Sequence, residues 1–441
     1  MPHTTSIPSL SEDFYTPFLS DVAKARLPSP IRSLFPLENL PGMISLLAGK
    51  PNPYSFPFTS FKFGTTAPGG QARGGGEELE LSVSGDDLTS ALQYGPTAGM
   101  PALLQWLAEL QEHVHGRSLG EGWQVIVGTG SQDLLAKAIT ALLNPGDSVL
   151  VQSPIYAGVI PLFHSLNCEQ IEIEGDADGI SSSSLRLILE SWPAEKPKPR
   201  VLYTIPYGGN PTGSTASLER RREVLRLANE HNFLIMEDDP YYFLFYGKER
   251  APSYFALERT ESELVGRVLR FDSFSKILSA GMRLGFLSGP TPILRAIEAH
   301  TATSNLQTSS LVQVISAKLL SAWGVDGFML HTAGVSNFYR EKRDIFQAAM
   351  VKHLSGLAEW TAPEAGLFFW FKLNLAGSGD DSAELIRTKA VQHGVLALPG
   401  TAFLPNGRKS AYVRAAFSLL TPEQVDEALK RLRETILEVR Q

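Results

Sequence analysis

From Gln124 onward, short apolar runs of strand length alternate with stretches of helical periodicity, and this constrains the fold more than any other feature. Gln124–Val127, Asp147–Gln152, Val201–Ile205, Phe233–Met236 and Val268–Phe271 predict strands. Ser131–Leu143 and Ser217–Asn232 predict helices, the second with Leu218, Leu225 and Ala228 on one face. Strands alternating with helices form a mostly parallel sheet covered by helices on both faces, so the expected class is α/β. Such sheets bind ligands beyond the carboxyl ends of their strands. Polar clusters fall at those ends: Gly128-Thr129-Gly130-Ser131, Glu237-Asp238-Asp239 and Asp272–Lys276.

The pattern changes towards the C-terminus. Val335–Leu354 predicts a long helix, and Phe368–Phe371 and Val395–Leu398 predict strands. Thr421-Pro422-Glu423-Gln424 is a helix start, with a capping threonine, a proline in the first turn and a glutamine three residues after the cap. The helix it opens carries Val425, Ala428, Leu429, Leu432 and Ile436 on one face. A chain of 441 residues exceeds one ordinary domain. The expected division is an N-terminal arm with part of a small domain over 1–85, a large domain over 86–325, and a smaller α+β domain over 326–441. Residues 66–86 are glycine-rich, with Gly74-Gly75-Gly76. No strong strand precedes this run and no Gly-Lys-Ser/Thr follows it, so an exposed hairpin or flexible loop is expected rather than a phosphate loop.

Composition excludes several classes. Hydrophobic residues make up 43% and charged residues 19%, which is globular. The net charge of −7, with no stripe of Lys and Arg, argues against a nucleic-acid partner. The single cysteine, Cys168, allows neither an intramolecular disulfide nor a multi-cysteine zinc site, and is expected to be a small buried hydrophobe in a reducing compartment. No run approaches the ~20 apolar residues that span a bilayer. With no basic leader or apolar signal core at the N-terminus, the expected location is cytoplasmic, with no membrane partner.

Each strand-end cluster has a bland reading and a chemical one. Lysines normally sit solvated on polar faces. Lys276, directly after an apolar strand and among small hydroxyl residues, also has the setting of an amine that forms a Schiff base. Glu237-Asp238-Asp239 suits a divalent metal, a helix cap, or a carboxylate that keeps the ring nitrogen of pyridoxal phosphate protonated. No Walker A sequence accompanies the acids, which weakens the metal reading, and no metal is expected. Pro206–Gly213 is a turn by composition, or a rigid loop that presents the Asn210 amide. Gly128-Thr129-Gly130-Ser131-Gln132 is a tight turn, or a helix N-terminus that binds phosphate.

As an ordered set, these clusters resemble the fold type I pyridoxal phosphate aminotransferases. Within them the chain is most similar to the subgroup of fungal aromatic and kynurenine/2-aminoadipate aminotransferases. The resemblance runs from about Ser29 to the C-terminus. Its markers are Ser29-Pro30-Ile31-Arg32, Leu46-Leu47-Ala48-Gly49-Lys50-Pro51, Gln93-Tyr94-Gly95, Asn210-Pro211-Thr212-Gly213, Asp238-Asp239-Pro240-Tyr241 and Ser273-Phe274-Ser275-Lys276. Asp238 follows Asn210 by 28 residues, Lys276 follows Asp238 by 38, and Arg283 follows Lys276 by 7. Departures are Tyr207-Gly208-Gly209, where relatives often carry a bulkier residue and Gln, and Lys50, where they often carry an apolar residue.

The resemblance implies the type I transferase fold and pyridoxal 5'-phosphate as cofactor. It implies that Lys276 forms the Schiff base and shuttles a proton, that Asp238 pairs with the ring nitrogen, and that Asn210 and Tyr241 hydrogen-bond the phenolic oxygen. Tyr156 would stack on the ring. Ser131, Gln132, Ser273, Ser275 and Arg283 would cradle the phosphate, and Tyr94 would reach the phosphate of the other subunit of a homodimer. Arg414 would take the substrate α-carboxylate, with Gly49 on a segment closing over the substrate and Phe368 in the pocket.

The expected function is ping-pong amino transfer from an aromatic L-amino acid to a 2-oxo acid, both small-molecule partners. The nearest alternative donor is 2-aminoadipate or kynurenine. Arg32 offers a site for a distal carboxylate or an ordinary surface pair. A lyase or decarboxylase on the same scaffold is a further alternative. An effector-sensing regulator would need an N-terminal DNA-binding domain, and only about 30 residues precede the first marker. A dehydrogenase built on Gly128-x-Gly130 leaves Lys276 and Asp238 unexplained.

Overall fold

The structure, a computed structural model, describes residues 7–27, 29–47, 49–69, 76–375 and 381–440. The side chain of Arg32, and residues 70–75 with Gly74 and Gly75, lie outside the described residues. The chain forms two compact units, Met1–Asp147 with Tyr254–His331, and Ser148–Ser253 with Thr332–Gln441.

In the first unit, strand Gly285–Pro290 lies between Trp123–Gly128 and Val268–Ser273 and runs antiparallel to both. This central strand is absent from the sequence expectation. Its two glycines, its serine and its terminal proline dilute the apolar run that marks a strand. Helices Ser131–Leu142 and Thr291–Ser304 pack on these strands through Leu134, Ala138, Ile293 and Ile297. Each fully buried leucine or isoleucine contributes about 1.5–3 kcal/mol. Strands Phe61–Thr66 and Glu78–Val83 pair antiparallel, the hairpin form of the expectation for the glycine-rich segment.

In the second unit, Ser148–Ser153, Glu169–Asp176, Val201–Thr204 and Leu234–Asp238 form the parallel sheet that the alternation predicts. Three of these strands are buried along their whole length, as strands covered on both faces must be. Helix Leu218–His231 begins at Ser217, whose side chain accepts from the Arg220 N–H, and ends at Asn232 in the left-handed region. Cys168 is buried, as a small hydrophobe should be.

A four-stranded antiparallel sheet follows in the same unit, in the order Ala358–Trp360, Phe368–Leu373, Tyr412–Ala416, Leu398–Pro399. Strand alternation sends Phe369, Phe371 and Leu373 into its core, where Phe369 stacks on Phe346 at 5.0 Å, and sends Phe368 and Trp370 to the opposite face. Helix Pro422–Val439 has the reciprocal Thr421–Gln424 cap and buries Val425, Leu429, Leu432 and Ile436. Two expectations change here. The Val395–Leu398 strand shrinks to Leu398–Pro399, because Val395 closes a helix end, its N–H bonded to the Ala390 carbonyl. The helix expected from Val335 is the end of a longer span, Ser310–Leu354, broken at Gly324 (φ 64°, ψ 178°).

Candidate active site

In the first unit, strand Trp123–Gly128 runs through Thr129-Gly130 into the helix that begins at Ser131. The first-turn N–H groups of a helix have no intrahelical partners and attract anions. Gly130 has φ +82°, and a Cβ there would run into the Arg283 guanidinium. Glycine is what lets that charge approach the helix start. Arg283 donates to Ser275 Oγ at 3.2 Å, and Ser275 N–H donates to Ser273 Oγ at 3.2 Å. Ser131, Ser273, Ser275 and Arg283 thus lie around one helix N-terminus, with Gln132 half-buried in its first turn. A guanidinium, hydroxyls and helix-start N–H groups suit a phosphate dianion. Lys276 closes the short turn Phe274–Lys276 and is half-buried.

Sequence reasoning missed the supports of this turn. Asp272, buried, accepts from Arg270 at 2.9 Å and from Gln111 at 3.2 Å. His331 Nε2 meets the Ile277 carbonyl at 2.7 Å, and its ring lies on Trp323 at 4.7 Å. Burial lowers the pKa of His331, and the Ile277 carbonyl opposes that shift. The partners are distant in sequence, so no local motif signals them.

A second group lies wholly within the other unit. Asp238 ends strand Leu234–Asp238 at 3% exposure, and Oδ2 accepts from the Tyr203 hydroxyl at 2.6 Å. Asn210 Oδ1 accepts from Arg414 at 2.8 Å. The Arg414 guanidinium lies over Phe368 at 4.1 Å and near Phe403 at 4.9 Å. Its Nε is buried with no hydrogen-bond partner among the described residues, the condition of a donor built for a ligand oxygen. Burial lowers the Arg414 pKa, with Tyr241 and Tyr156 opposing. Tyr241 meets Phe368 edge-on at 6.3 Å. Burial, then the Asp238 charge, push its hydroxyl pKa well up, so it stays a donor. Tyr156, Tyr203, Ile205 and Asn210 line one small pocket.

Electrostatics separates the neighbouring acids. The Asp238 charge acts on Tyr203 and Tyr241, whereas those of Glu237 and Asp239 act on Tyr207. Alternation along the strand turns Asp238 towards the Asn210–Arg414 group and its neighbours away from it. The Asn210 loop is pinned from behind. Arg221, fully buried, lies over the Tyr207 ring at 4.0 Å and donates to the Pro206, Ala216 and Pro252 carbonyls. Gly208 has φ +52°, and a Cβ would sit 2.6 Å from the Ala365 carbonyl carbon, so this departure from the family pattern accommodates a close backbone approach.

Gly49 and Tyr94 are exposed within the first unit, Tyr94 at 54%. Lys50 pairs with Glu38 at 2.7 Å over the Phe35 ring. Among the described residues, no group of three His, Cys, Asp or Glu is placed to hold a metal, and no helix is long and apolar enough to cross a membrane.

The family described as aminotransferase class I and II matches residues 84–432. The chain belongs to this family. It is 44% identical over 420 residues to the aminotransferase tdiD of Emericella nidulans, covering 95% of this chain and 94% of that one. It is 39% identical over 440 residues to the mitochondrial kynurenine/alpha-aminoadipate aminotransferase of Bos taurus, covering 96% and 99%. The crystal structure of aminotransferase Aro8 from Candida albicans superposes with a TM-score of 0.88 at 26% identity, covering 98% and 99%. The fold is therefore that of the type I transferases, and the aminotransferase is an enzyme dependent on pyridoxal phosphate. Its residues fit that group: a helix-start cradle opened by Gly130 suits the phosphate.

Proposed function

We propose that this aminotransferase takes the amino group of an aromatic L-amino acid, tryptophan, phenylalanine or tyrosine, and passes it to a 2-oxo acid in a ping-pong cycle. The placement of Arg414 supports this most strongly, with its guanidinium bonded to Asn210 and lying over the Phe368 ring. A carboxylate taken in two prongs by Arg414 leaves the rest of the substrate beside an aromatic face. Lysine has no planar fork to copy that contact.

Bound pyridoxal phosphate supplies an electron sink for the substrate's α-carbon. In this reading the Lys276 amine anchors the cofactor and moves the proton taken from the α-carbon. The Asp238 carboxylate keeps the proton on the ring nitrogen. Tyr241 and Asn210 bond the phenolic oxygen, and Tyr156 lies against the ring. Ser131, Gln132, Ser273, Ser275 and Arg283 hold the phosphate. Tyr94 serves the phosphate of a second copy's site in a homodimer, and the segment bearing Gly49 covers the substrate. The exposed Leu46 and Tyr54, at 98% and 100%, support a partner surface on that segment.

The bovine relative's name favours a second reading, with 2-aminoadipate or kynurenine as donor and, for 2-aminoadipate, Arg32 on its distal carboxylate. Single-turnover bleaching of the cofactor's visible band across a panel of amino acids separates them. Fastest bleaching by tryptophan, phenylalanine or tyrosine supports the first reading. Faster bleaching by 2-aminoadipate replaces it with the second. A cytoplasmic location belongs to the proposal as well, the single cysteine supporting a reducing compartment. Recovery of the enzyme in a mitochondrial fraction would overturn it.

A further inference from the structure

Tyr203 belongs to none of the cofactor, substrate or dimer roles assigned above. It sits in the middle of the parallel sheet, on strand Val201–Thr204, opposite Met236 of strand Leu234–Asp238. Asp238 is two residues beyond Met236 and so shares its face. Packing alone asks only for a ring here, and Phe163 meets that ring edge-on at 6.3 Å. A phenol hydroxyl at a site that is 1% exposed carries a desolvation penalty unless it is hydrogen-bonded. Its partner is Asp238 Oδ2 at 2.6 Å, a short bond of the charge-assisted kind.

We propose that Tyr203 is a positioning residue for Asp238: its hydroxyl fixes the orientation of the carboxylate and shares its charge, and so sets how firmly the cofactor's ring nitrogen is held. The inference rests on the role given to Asp238 under the proposed function. Two physical consequences follow from the bond. A carboxylate with one oxygen tied down does not rotate about its Cβ–Cγ axis, so its remaining hydrogen-bonding direction is set before the cofactor arrives. A donor that stabilises the anion also makes the carboxylate a weaker base, leaving the shared proton nearer the ring nitrogen. Tyr203 is suited to the task because it does not lose its own proton. Burial, then the neighbouring Asp238 charge, raise its pKa well above the ordinary value, so the hydroxyl remains a donor throughout the working range. Tyr156 and Tyr241, the other groups acting on it, push in the same direction.

The test is a double-mutant cycle between Tyr203→Phe and Asp238→Asn. Three readouts are taken: the dissociation constant of pyridoxal phosphate from the apoenzyme, the pH titration of the bound cofactor's visible absorbance, and kcat separately from KM. A hydrogen bond to a charged group is worth roughly ten- to a hundredfold in an equilibrium. Tyr203→Phe is therefore expected to weaken cofactor binding by about tenfold or more, shift the absorbance titration and lower kcat with little change in KM. On the Asp238→Asn background the same substitution should do almost nothing. An effect of equal size on both backgrounds, or an unmoved titration, overturns the inference and leaves Asp238 its role. If Asp238→Asn alone binds cofactor and turns over like the parent enzyme, the role of Asp238 fails, and this inference with it. Should Tyr203→Phe not fold, a fluorotyrosine at position 203 keeps the ring and strengthens the donor. It must then shift the titration in the direction opposite to that expected for losing the bond, and no shift overturns the proposal.

Discussion

Tyr241 and Tyr94 both belong to the proposed machinery and have opposite surroundings. Tyr241 is 3% exposed, and burial, then the Asp238 charge, raise the pKa of its hydroxyl, with Arg414 and Asn210 opposing. Tyr94 is 54% exposed, and its neighbour Gln93 donates to the Pro51 carbonyl of the segment that carries the fully exposed Tyr54. The contrast extends to what surrounds each. Asp238 and Asn210 are buried and bonded to Tyr203 and Arg414, whereas Ile44 and Leu46 present apolar side chains to solvent. Buried polar groups that find partners within their own unit are organised before a ligand arrives. Under the proposed homodimer, the exposed apolar residues on an irregular segment instead form the surface that a second copy would cover.

The comparison breaks if the buried acids prove interchangeable. Asp238→Asn should lower kcat by roughly 10²–10³-fold, and Asp239→Asn by roughly tenfold or less. Equal losses, or the reverse order, would mean that strand alternation does not select the working carboxylate. Next in size is Arg414→Lys, which keeps the charge and removes the fork. We expect kcat/KM for the amino acid to fall by roughly ten- to a hundredfold. A steady-state value unchanged from the parent would place the carboxylate elsewhere.

On the exposed side, Tyr94→Phe should loosen the cofactor by roughly ten- to a hundredfold without unfolding the protein. Mixing Tyr94→Phe subunits with Lys276→Ala subunits sharpens this. A mixed dimer then has one whole site, with its lysine from one copy and its tyrosine from the other. Cofactor affinity should recover in a fraction of sites set by the mixing ratio. Demonstrated subunit exchange with no recovery would show that Tyr94 acts within its own subunit. The smallest effect concerns His331. Its folded pKa lies below the ordinary 6.5, because burial disfavours the charged ring. The stability it contributes is complete above that value and is lost as pH falls below it. Between about pH 7.5 and about pH 5.5, His331→Gln should drop in melting temperature less than the parent does, by about 1–2 °C. Identical slopes would remove His331 from the account of acid sensitivity.

The sequence was most legible where chemistry sits in short motifs at strand ends. Asp238 and Lys276 stand out there because polar residues close behind an apolar run are visible in a few letters, and Asn210 because it sits in a Gly-Pro turn past one, while the roles proposed for them come from the family resemblance. Register and long-range pairing were not legible. Tyr203 looks like one more core residue of Val201–Thr204 until the adjacent strand places Asp238 beside its hydroxyl. Arg270, Gln111 and His331 meet their partners through packing, with no local signal. The Gly285–Pro290 strand was missed for its glycines, although it lies centrally between two others. Alternation at Phe368-Phe369-Trp370 was readable as a rule, while the ring chosen for the Arg414 face needed the pairing of Trp370 with Arg414 across the sheet.

The central claim is that the lysine at the end of strand Val268–Ser273 anchors the cofactor. Borohydride reduction of the loaded enzyme, followed by peptide mapping, tests it directly. The account predicts a pyridoxyl group on the peptide that contains Lys276 and on no other lysine, and a label at any other lysine would contradict it.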